Sequence, residues 1–231
     1  MREIIFDTET TGLSAADDRI VEIGCVEIED LIPTGKTFHV YINPTRPVQP
    51  AAFRVHGLSN DFLKTKPVFK RIVNKFLKFI GDAPLVAHNA NFDMAFINAE
   101  LARIDIDPLN NQVVDTLALA REVRPGSKHT LDALCRHYDI DTSRRKKHGA
   151  LLDSELLAEV YIELRGGRQM SLDVLADTTA KVFQFPKARQ RPTPLPGRVT
   201  EDDLKAHRAF IAEMGDAAIW NEYFEAKGRA A

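Results

Sequence analysis

The sequence predicts an α/β fold: three antiparallel strands, then parallel strands, form a mixed sheet flanked by helices. Two observations lead to this prediction. Three strand-like segments near the start follow one another with short links, which favours antiparallel hairpins. Between residues 67 and 164, short apolar segments alternate with segments of helical periodicity, which favours parallel strands joined by helices.

The first three strands are predicted from their β-branched and aromatic content. Residues 4–6 form the apolar part of the first strand, residues 20–28 form the second and residues 36–42 form the third. The proline-rich stretch 43–50 is predicted to be extended. Residues 53–58 are predicted to form a compact loop or a short turn of helix.

Later elements alternate in type. Apolar side chains at helical spacing predict a helix over residues 67–80, which stops at Gly81. Residues 84–87 are a short apolar strand, which the right-handed crossover rule places beside the first strand and parallel to it. Ligand crevices form where the carboxyl ends of such strands meet. The remaining predicted elements are a helix at 92–103, a strand at 113–115, helices at 116–122 and 130–138, a basic loop at 141–148 and a helix at 149–164.

The composition changes after residue 167. Residues 181–198 hold four prolines among basic residues, which indicates a semi-extended linker. Thr200 and the three acidic residues after it predict the capped start of a helix of about twenty residues. The predicted organisation is a domain at 1–167, a flexible linker at 168–199 and a C-terminal helical segment at 200–231.

Charge and cysteine content exclude several classes of protein. A net charge of −2 over 231 residues excludes a broadly basic nucleic-acid coat, although it allows a local site whose phosphates are held by metal ions. Cys25 and Cys135 form no CxxC pair, so a disulfide scaffold or zinc site is not expected, and both should fill the core of a cytoplasmic protein. No signal segment or membrane-spanning apolar run is found, so no membrane partner is expected.

Four acidic residues interrupt apolar patterns. Asp7 and Glu9 are two positions apart on the first strand and therefore point to one face, where they repel unless a cation or a shared proton intervenes. Asp93 and Asp153 each occupy a helix position where the pattern calls for an apolar residue facing the sheet. For either helix acid alone, a cap or a buried ion pair explains the position equally well. Together, four carboxylates at one crevice predict Mg²⁺ or Mn²⁺ binding, and two such ions form the clamp used on phosphodiester bonds.

His148 lies five residues before Asp153, just ahead of the predicted last helix. From there its imidazole can reach over the metal ions, and a neutral histidine suits the role of general base. A surface histidine beside a basic loop is the alternative, which the spacing to Asp153 disfavours. Asp115 and Asp132 are predicted to cap or orient neighbouring groups.

Three segments resemble, in order and spacing, the signature motifs of the DEDDh 3′–5′ exonucleases, a family with a ribonuclease-H-like fold. These segments are residues 7–12, 88–93 and 148–153. Within that family the chain is similar to the proofreading epsilon subunits of bacterial DNA polymerase III, strongly over residues 2–175 and weakly in the tail. Three motifs in order are far more specific than a lone DxE pair.

The resemblance implies the roles of individual residues. Two Mg²⁺ (or Mn²⁺) ions would be held by Asp7, Glu9, Asp93 and Asp153. With His148 as general base, water would attack the terminal phosphodiester and release nucleoside 5′-monophosphates. Contacts to the 3′-terminal nucleotide would come from Asp7, Thr8, Glu9, Thr10, Val55, His56, Asn89, Phe92 and Asp153. A core position explains Phe92 equally well, and Lys146 and Lys147 either touch phosphates or are solvated.

The resemblance also implies two protein partners. Residues 169–174 resemble peptides that bind the bacterial sliding clamp, with Gln169 and Leu172 as contacts, although an ordinary exit segment explains them as well. In the epsilon subunits the C-terminal segment binds the catalytic alpha subunit. Here Phe210 and Trp220 lie on the apolar face of the predicted last helix, which makes them candidate contacts. The alternative is that this helix folds back on the nuclease domain.

Two other functions are compatible with parts of the sequence. A related RNA exonuclease, either tRNA-trimming or oligoribonucleotide-degrading, would have the same active site, but the linker and terminal helix favour an enzyme bound to a polymerase. A catalytically silent scaffold is disfavoured because all five active-site positions are filled. The leading hypothesis is a bacterial DNA-proofreading exonuclease acting on single-stranded 3′ ends.

Overall fold

A computed structural model describes residues 1–145, 147–166, 199–215 and 219–220. The chain divides into two compact units, residues 1–178 and residues 179–231. Each unit is described by itself.

The described part of the first unit contains one five-stranded sheet with the strand order β3-β2-β1-β4-β5. β1 pairs antiparallel with β2, and β2 pairs antiparallel with β3. β4 runs parallel to β1 on its other side, and β5 runs parallel to β4. The predicted mixed sheet is therefore confirmed, with the short apolar strand beside the first. The strands are β1 Arg2–Thr10, β2 Ile20–Glu29, β3 Ile32–Tyr41, β4 Leu85–Ala87 and β5 Val113–Asp115.

Helices flank this sheet, and the first two differ most from the prediction. α1 begins at Pro50, since proline fits the first helical turn, and it is longer than a single turn. α2 was not predicted; the Ser59 side chain caps it by accepting a hydrogen bond from the Phe62 N–H. The helices of the first unit are α1 Pro50–His56, α2 Asn60–Lys64, α3 Phe69–Ile80, α4 Ala90–Ala102, α5 Thr116–Val123, α6 Leu131–His137 and α7 Ala150–Leu164.

The central strand β1 is apolar on both faces because helices cover both sides of the sheet. Ile4 and Phe6 belong to the core cluster that includes Phe76 of α3 and Phe96 of α4. Ile5 points to the opposite face and packs with residues of α7. Cys25 and Cys135 are both buried, as predicted.

A close approach between α7 and β2 depends on Gly24. A Cβ atom at this position would lie 2.2 Å from the carbonyl carbon of Ala150 and from the backbone nitrogen of Leu151. The hydroxyl of Ser154 donates a hydrogen bond to the Gly24 carbonyl at 3.0 Å. The first turns of α7, which carry Asp153, are thereby seated directly on the sheet.

In the second unit, α8 spans Glu201–Glu213. Thr200 and Asp203 form the capping box at its start, as the sequence predicted. The predicted length of about twenty residues was wrong, because α8 ends at Glu213 and Gly215 adopts a φ of +75°. Trp220, predicted on the apolar face of this helix, therefore lies beyond its end. The predicted contacts Gln169 and Leu172 lie outside the described residues. Within the described ranges, no helix is long and apolar enough to span a bilayer.

Candidate active site

A cavity of about 690 Å³ opens beside the carboxyl-terminal ends of β1 and β4. All four predicted acids and the predicted base line it. Asp7 and Glu9 come from β1, Asp93 from α4, Asp153 from α7 and His148 from the loop before α7. The structure thus brings together five residues that are up to 146 positions apart in the chain.

A tight turn after β4 directs α4 toward this cavity. Asn89 adopts a φ of +64°, a conformation that asparagine tolerates better than most residues, and α4 begins at Ala90, two residues earlier than predicted. The Asn89 N–H donates to the Asp115 carboxylate at 2.9 Å, and the same oxygen accepts from the Leu117 N–H at the start of α5. Asp115 is therefore the orienting residue that the sequence predicted.

Asp93 is fixed by the neighbouring strand. Its carboxylate accepts hydrogen bonds from the Thr8 N–H at 3.0 Å and from the Thr8 hydroxyl at 2.6 Å. The residue is only 4% exposed. Burial raises the pKa of Asp93 above its ordinary value, although both hydrogen bonds act in the opposite direction.

The two strand acids carry strongly perturbed pKa values. Burial, followed by repulsion from Asp153 and Glu22, raises the pKa of Glu9 to about 8. Burial, followed by repulsion from Asp93 and Glu9, raises the pKa of Asp7 well above its ordinary value. Glu22, which the sequence did not single out, is paired with Glu9 in the β1–β2 register. Such a cluster favours bound cations, since they stabilise the ionised carboxylates.

Asp153 differs from the other acids because basic groups surround it. Arg145 donates to its Oδ1 through Nε at 2.5 Å and to its Oδ2 through Nη2 at 2.8 Å. The Nδ1 atom of His148 lies 3.3 Å from the same Oδ2. Burial acts to raise the pKa of Asp153, but the neighbouring His148 and Arg145 side chains outweigh it and hold the pKa below its usual value.

The donor set fits a divalent metal ion. Glu9, His148 and Asp153 each offer a ligand atom, and these atoms lie within 4.8 Å of one another. Asp7 and Asp93 add carboxylate oxygens to the same cavity. Hard oxygen ligands of this kind suit Mg²⁺ or Mn²⁺.

The predicted nucleotide contacts fall into two groups. Thr8, Asn89 and Phe92 line the cavity, and the Phe92 ring also packs on the core with its centroid 4.8 Å from that of Phe96. Phe92 therefore packs on the core and also lines the cavity, and its contact with a nucleotide stays a prediction.

Thr10, Val55 and His56 do not line the cavity wall. Thr10 is buried, and its hydroxyl donates to the Gly12 carbonyl at 2.6 Å. His56 is also buried, and its Nδ1 accepts from the Leu58 N–H at 3.0 Å. The Val55 carbonyl accepts from the His148 N–H at 3.4 Å, so this segment lies beside the candidate base.

Several lining residues were missed by reasoning from the sequence. Arg145 lies within the predicted basic loop, but four consecutive basic residues offered no way to choose among them. Lys147 instead points its Nζ to the Arg54 carbonyl at 3.4 Å, and Lys146 lies outside the described residues. The other lining residues without a predicted site role are His88, Leu117, Arg121, His129, Thr130 and Leu131.

The chain is similar to known exonucleases in sequence. A family model described as an exonuclease matches residues 4–161. The DNA polymerase III subunit epsilon of Rickettsia conorii is 44% identical over 223 residues, which cover 93% of this chain and 96% of that protein. The protein of the same name from Escherichia coli K12 is 39% identical over 236 residues, which cover 95% of this chain and 97% of that protein.

The fold is likewise similar to solved exonuclease structures. Exonuclease X in complex with 5′-overhanging duplex DNA has a TM-score of 0.59 and 26% identity, covering 71% of this chain and 91% of that one. A zinc-bound complex of E. coli exonuclease I with single-stranded DNA has a TM-score of 0.63 and 19% identity, covering 72% of this chain and 41% of that one. The second likeness concerns the fold alone.

Proposed function

This chain belongs to the exonuclease family that contains the epsilon subunits of bacterial DNA polymerase III and is a 3′–5′ exonuclease; from this premise we propose that it proofreads for a replicative DNA polymerase. The observation that carries the proposal is the cavity in which Asp7, Glu9, Asp93, Asp153 and His148 converge. The bacterial relatives support a cytoplasmic location beside the replication machinery.

The proposed mechanism assigns one task to each group of residues. Asp7, Glu9, Asp93 and Asp153 would hold two Mg²⁺ or Mn²⁺ ions. When bound, such ions polarise the scissile phosphate and lower the pKa of the attacking water. His148 would remove a proton from that water as its oxygen bonds to the phosphorus of the 3′-terminal phosphodiester; the P–O3′ bond in line with it breaks, and a nucleoside 5′-monophosphate and a shortened strand with a 3′-hydroxyl are released.

The terminal nucleotide has a defined place in this proposal. Thr8, Asn89 and Phe92 form the wall of the cavity next to the carboxylates, with an aromatic face suited to a base or sugar. Val55 lies beside the candidate base, since its carbonyl accepts from the His148 N–H, and we propose that Thr10, Val55 and His56 contact the nucleotide from that side of the cavity.

The proposal is tested with a 5′-labelled DNA primer–template that ends in a matched or a mismatched base pair, and with an RNA strand of the same sequence. We expect the mismatched DNA end to be digested fastest, because its frayed 3′ end enters the cavity without the cost of unpairing. Faster digestion of RNA than of DNA would instead support the RNA exonuclease. A folded protein that digests neither strand would support the alternative of a catalytically silent scaffold.

We also propose that residues 200–231 bind the polymerase catalytic subunit and that residues 168–199 act as a linker. Phe210 is 61% exposed on α8, which makes it a candidate contact together with Trp220. A tether of this length holds the nuclease near the primer end at an effective concentration in the millimolar range. The clamp-binding peptide at 169–174 stays a prediction.

Deleting residues 199–231 should leave digestion of free oligonucleotides unchanged and abolish co-elution with the polymerase catalytic subunit in size-exclusion chromatography. Phe210→Ala in the full chain should weaken co-elution. Ile32→Ala is the matched control, since it removes another exposed apolar side chain from the first unit. Retained co-elution of the truncated chain contradicts the role given to this segment.

A further inference from the structure

The positively charged guanidinium of Arg145 lies among the carboxylates of the cavity. The Arg145 side chain is only 8% exposed, which is unusual for arginine. Its Nε and Nη2 contact the two oxygens of Asp153, Nη2 also lies 2.9 Å from His148 Nδ1, and Nη1 pairs with Asp132. The guanidinium therefore contacts three residues that line the cavity.

The charge of Arg145 acts on more than its direct partners. It acts to lower the pKa of Glu9, against burial and the neighbouring acids. Among the cavity-lining residues that the structure describes, Arg121 and Arg145 carry a fixed positive charge, and Arg145 is the one paired with a cluster acid. A buried carboxylate that is held in its ionised form, as Asp153 is, requires a counter-ion of this kind.

Arg145 and a metal ion compete for the same atoms. A metal ion held by Asp153 must use Oδ1 or Oδ2, and Arg145 N–H groups occupy both. Two cations on one buried carboxylate also repel each other strongly. We propose that Arg145 is the internal counter-ion of the site and is displaced when divalent metal ions bind. This inference rests on the proposed metal-dependent function.

The same exchange would set which ring nitrogen of the neutral His148 side chain carries the hydrogen. An arginine N–H can only donate, so its contact with Nδ1 requires that atom to accept and leaves the ring proton on Nε2. Once Arg145 leaves, Nδ1 can donate to Asp153 Oδ2, which lies 3.3 Å away. In that tautomer the Nε2 atom has a free lone pair, so it can take a proton from water. Arg145 is thus a positioning residue for the base as well as a competitor of the metal.

The test compares Arg145→Gln with the wild type and with Arg144→Gln. Arg144 is the neighbouring arginine, but it is 66% exposed and paired with Glu155 at 3.6 Å. Mn²⁺ binding to the full chain is measured by isothermal titration calorimetry. We expect Arg145→Gln to bind Mn²⁺ about 10- to 100-fold more tightly, because charge-assisted hydrogen bonds no longer have to be broken. Arg144→Gln should match the wild type.

Thermal unfolding separates exchange from simple loop anchoring. With EDTA, Arg145→Gln should unfold at a lower temperature than the wild type, because the carboxylates lose their counter-ion. With saturating Mn²⁺ the two proteins should unfold at the same temperature. Unchanged Mn²⁺ affinity, or the same loss of stability with and without metal, overturns the proposal. A wild type that binds no divalent ion would contradict the proposed function itself.

A second variant of Arg145 and the tautomer of His148 provide two further tests. If Arg145→Gln does not fold, Arg145→Lys replaces it, since lysine keeps the charge without the two-pronged contact; tighter Mn²⁺ binding is again expected, and unchanged affinity overturns the proposal. Nitrogen NMR of the wild type should show the His148 proton moving from Nε2 to Nδ1 when Mg²⁺ is added. A tautomer that does not respond to Mg²⁺ overturns the role given to Arg145 in positioning the base.

Discussion

Replacing Asp7 with alanine is expected to lower the rate of 3′-terminal hydrolysis by about 10³-fold or more while the protein stays folded. Metal ions contribute several kcal/mol to such transition states, and each 1.36 kcal/mol is a factor of ten in rate. Asp7 lies on the central strand β1 and lines the cavity with the other three acids. The measurement is single-turnover digestion of a 5′-labelled single-stranded oligonucleotide with Mg²⁺.

The same position should show a trade between function and stability. The pKa of Asp7 is raised in the folded protein, so this carboxyl opposes folding at every pH above its ordinary range. Asp7→Asn should therefore raise the unfolding temperature in EDTA at pH 8 and abolish the stabilisation that Mg²⁺ gives the wild type. Asp61→Asn, at an exposed side chain of α2, should change neither quantity. Near-wild-type activity of Asp7→Ala would contradict the assignment of Asp7 as a metal ligand.

The order of elements was predictable because the buried strands consist largely of apolar residues, which can be recognised in the sequence. Ile4, Ile5 and Phe6 are three consecutive apolar residues, as expected for a strand that is covered on both faces. α2 was missed because a five-residue helix has too little periodicity, and its cap at Ser59 looks like an ordinary turn. The length of α8 was overestimated because apolar spacing continued past Gly215, where the backbone leaves the helix.

The acids of the site were predictable for a related reason. A charged residue in an apolar pattern has a high cost of burial, so Asp93 and Asp153 could be found without knowing their neighbours. Arg145 and Glu22 could not, because one belongs to a basic run and the other to an alternating strand where a charge is ordinary. What makes them notable appears only in the folded chain: Arg145 contacts Asp153, and Glu22 is the register partner of Glu9.

The second large effect is expected at His148. His148→Ala should lower kcat by about 10²- to 10⁴-fold, the contribution of a positioned general base. Both described contacts of the ring use Nδ1, toward Arg145 and Asp153, so Nε2 is the nitrogen left for water, and it accepts a proton once Nδ1 carries the ring hydrogen. His137→Ala on α6 is the matched control, because that exposed histidine is not part of the cavity lining and should leave kcat unchanged.

A metal-ligand role for His148 makes a different prediction, since its ring belongs to the group of ligand atoms that lie within 4.8 Å of one another. If the imidazole mainly held a metal ion, His148→Ala would raise the Mg²⁺ concentration needed for half-maximal activity, and excess Mg²⁺ would restore kcat. If it is the base, kcat stays low at every Mg²⁺ concentration. His148→Gln should be equally slow, because an amide can keep a hydrogen bond to Asp153 but cannot take up a proton at neutral pH. Full activity of His148→Gln would show that the ring only orients Asp153.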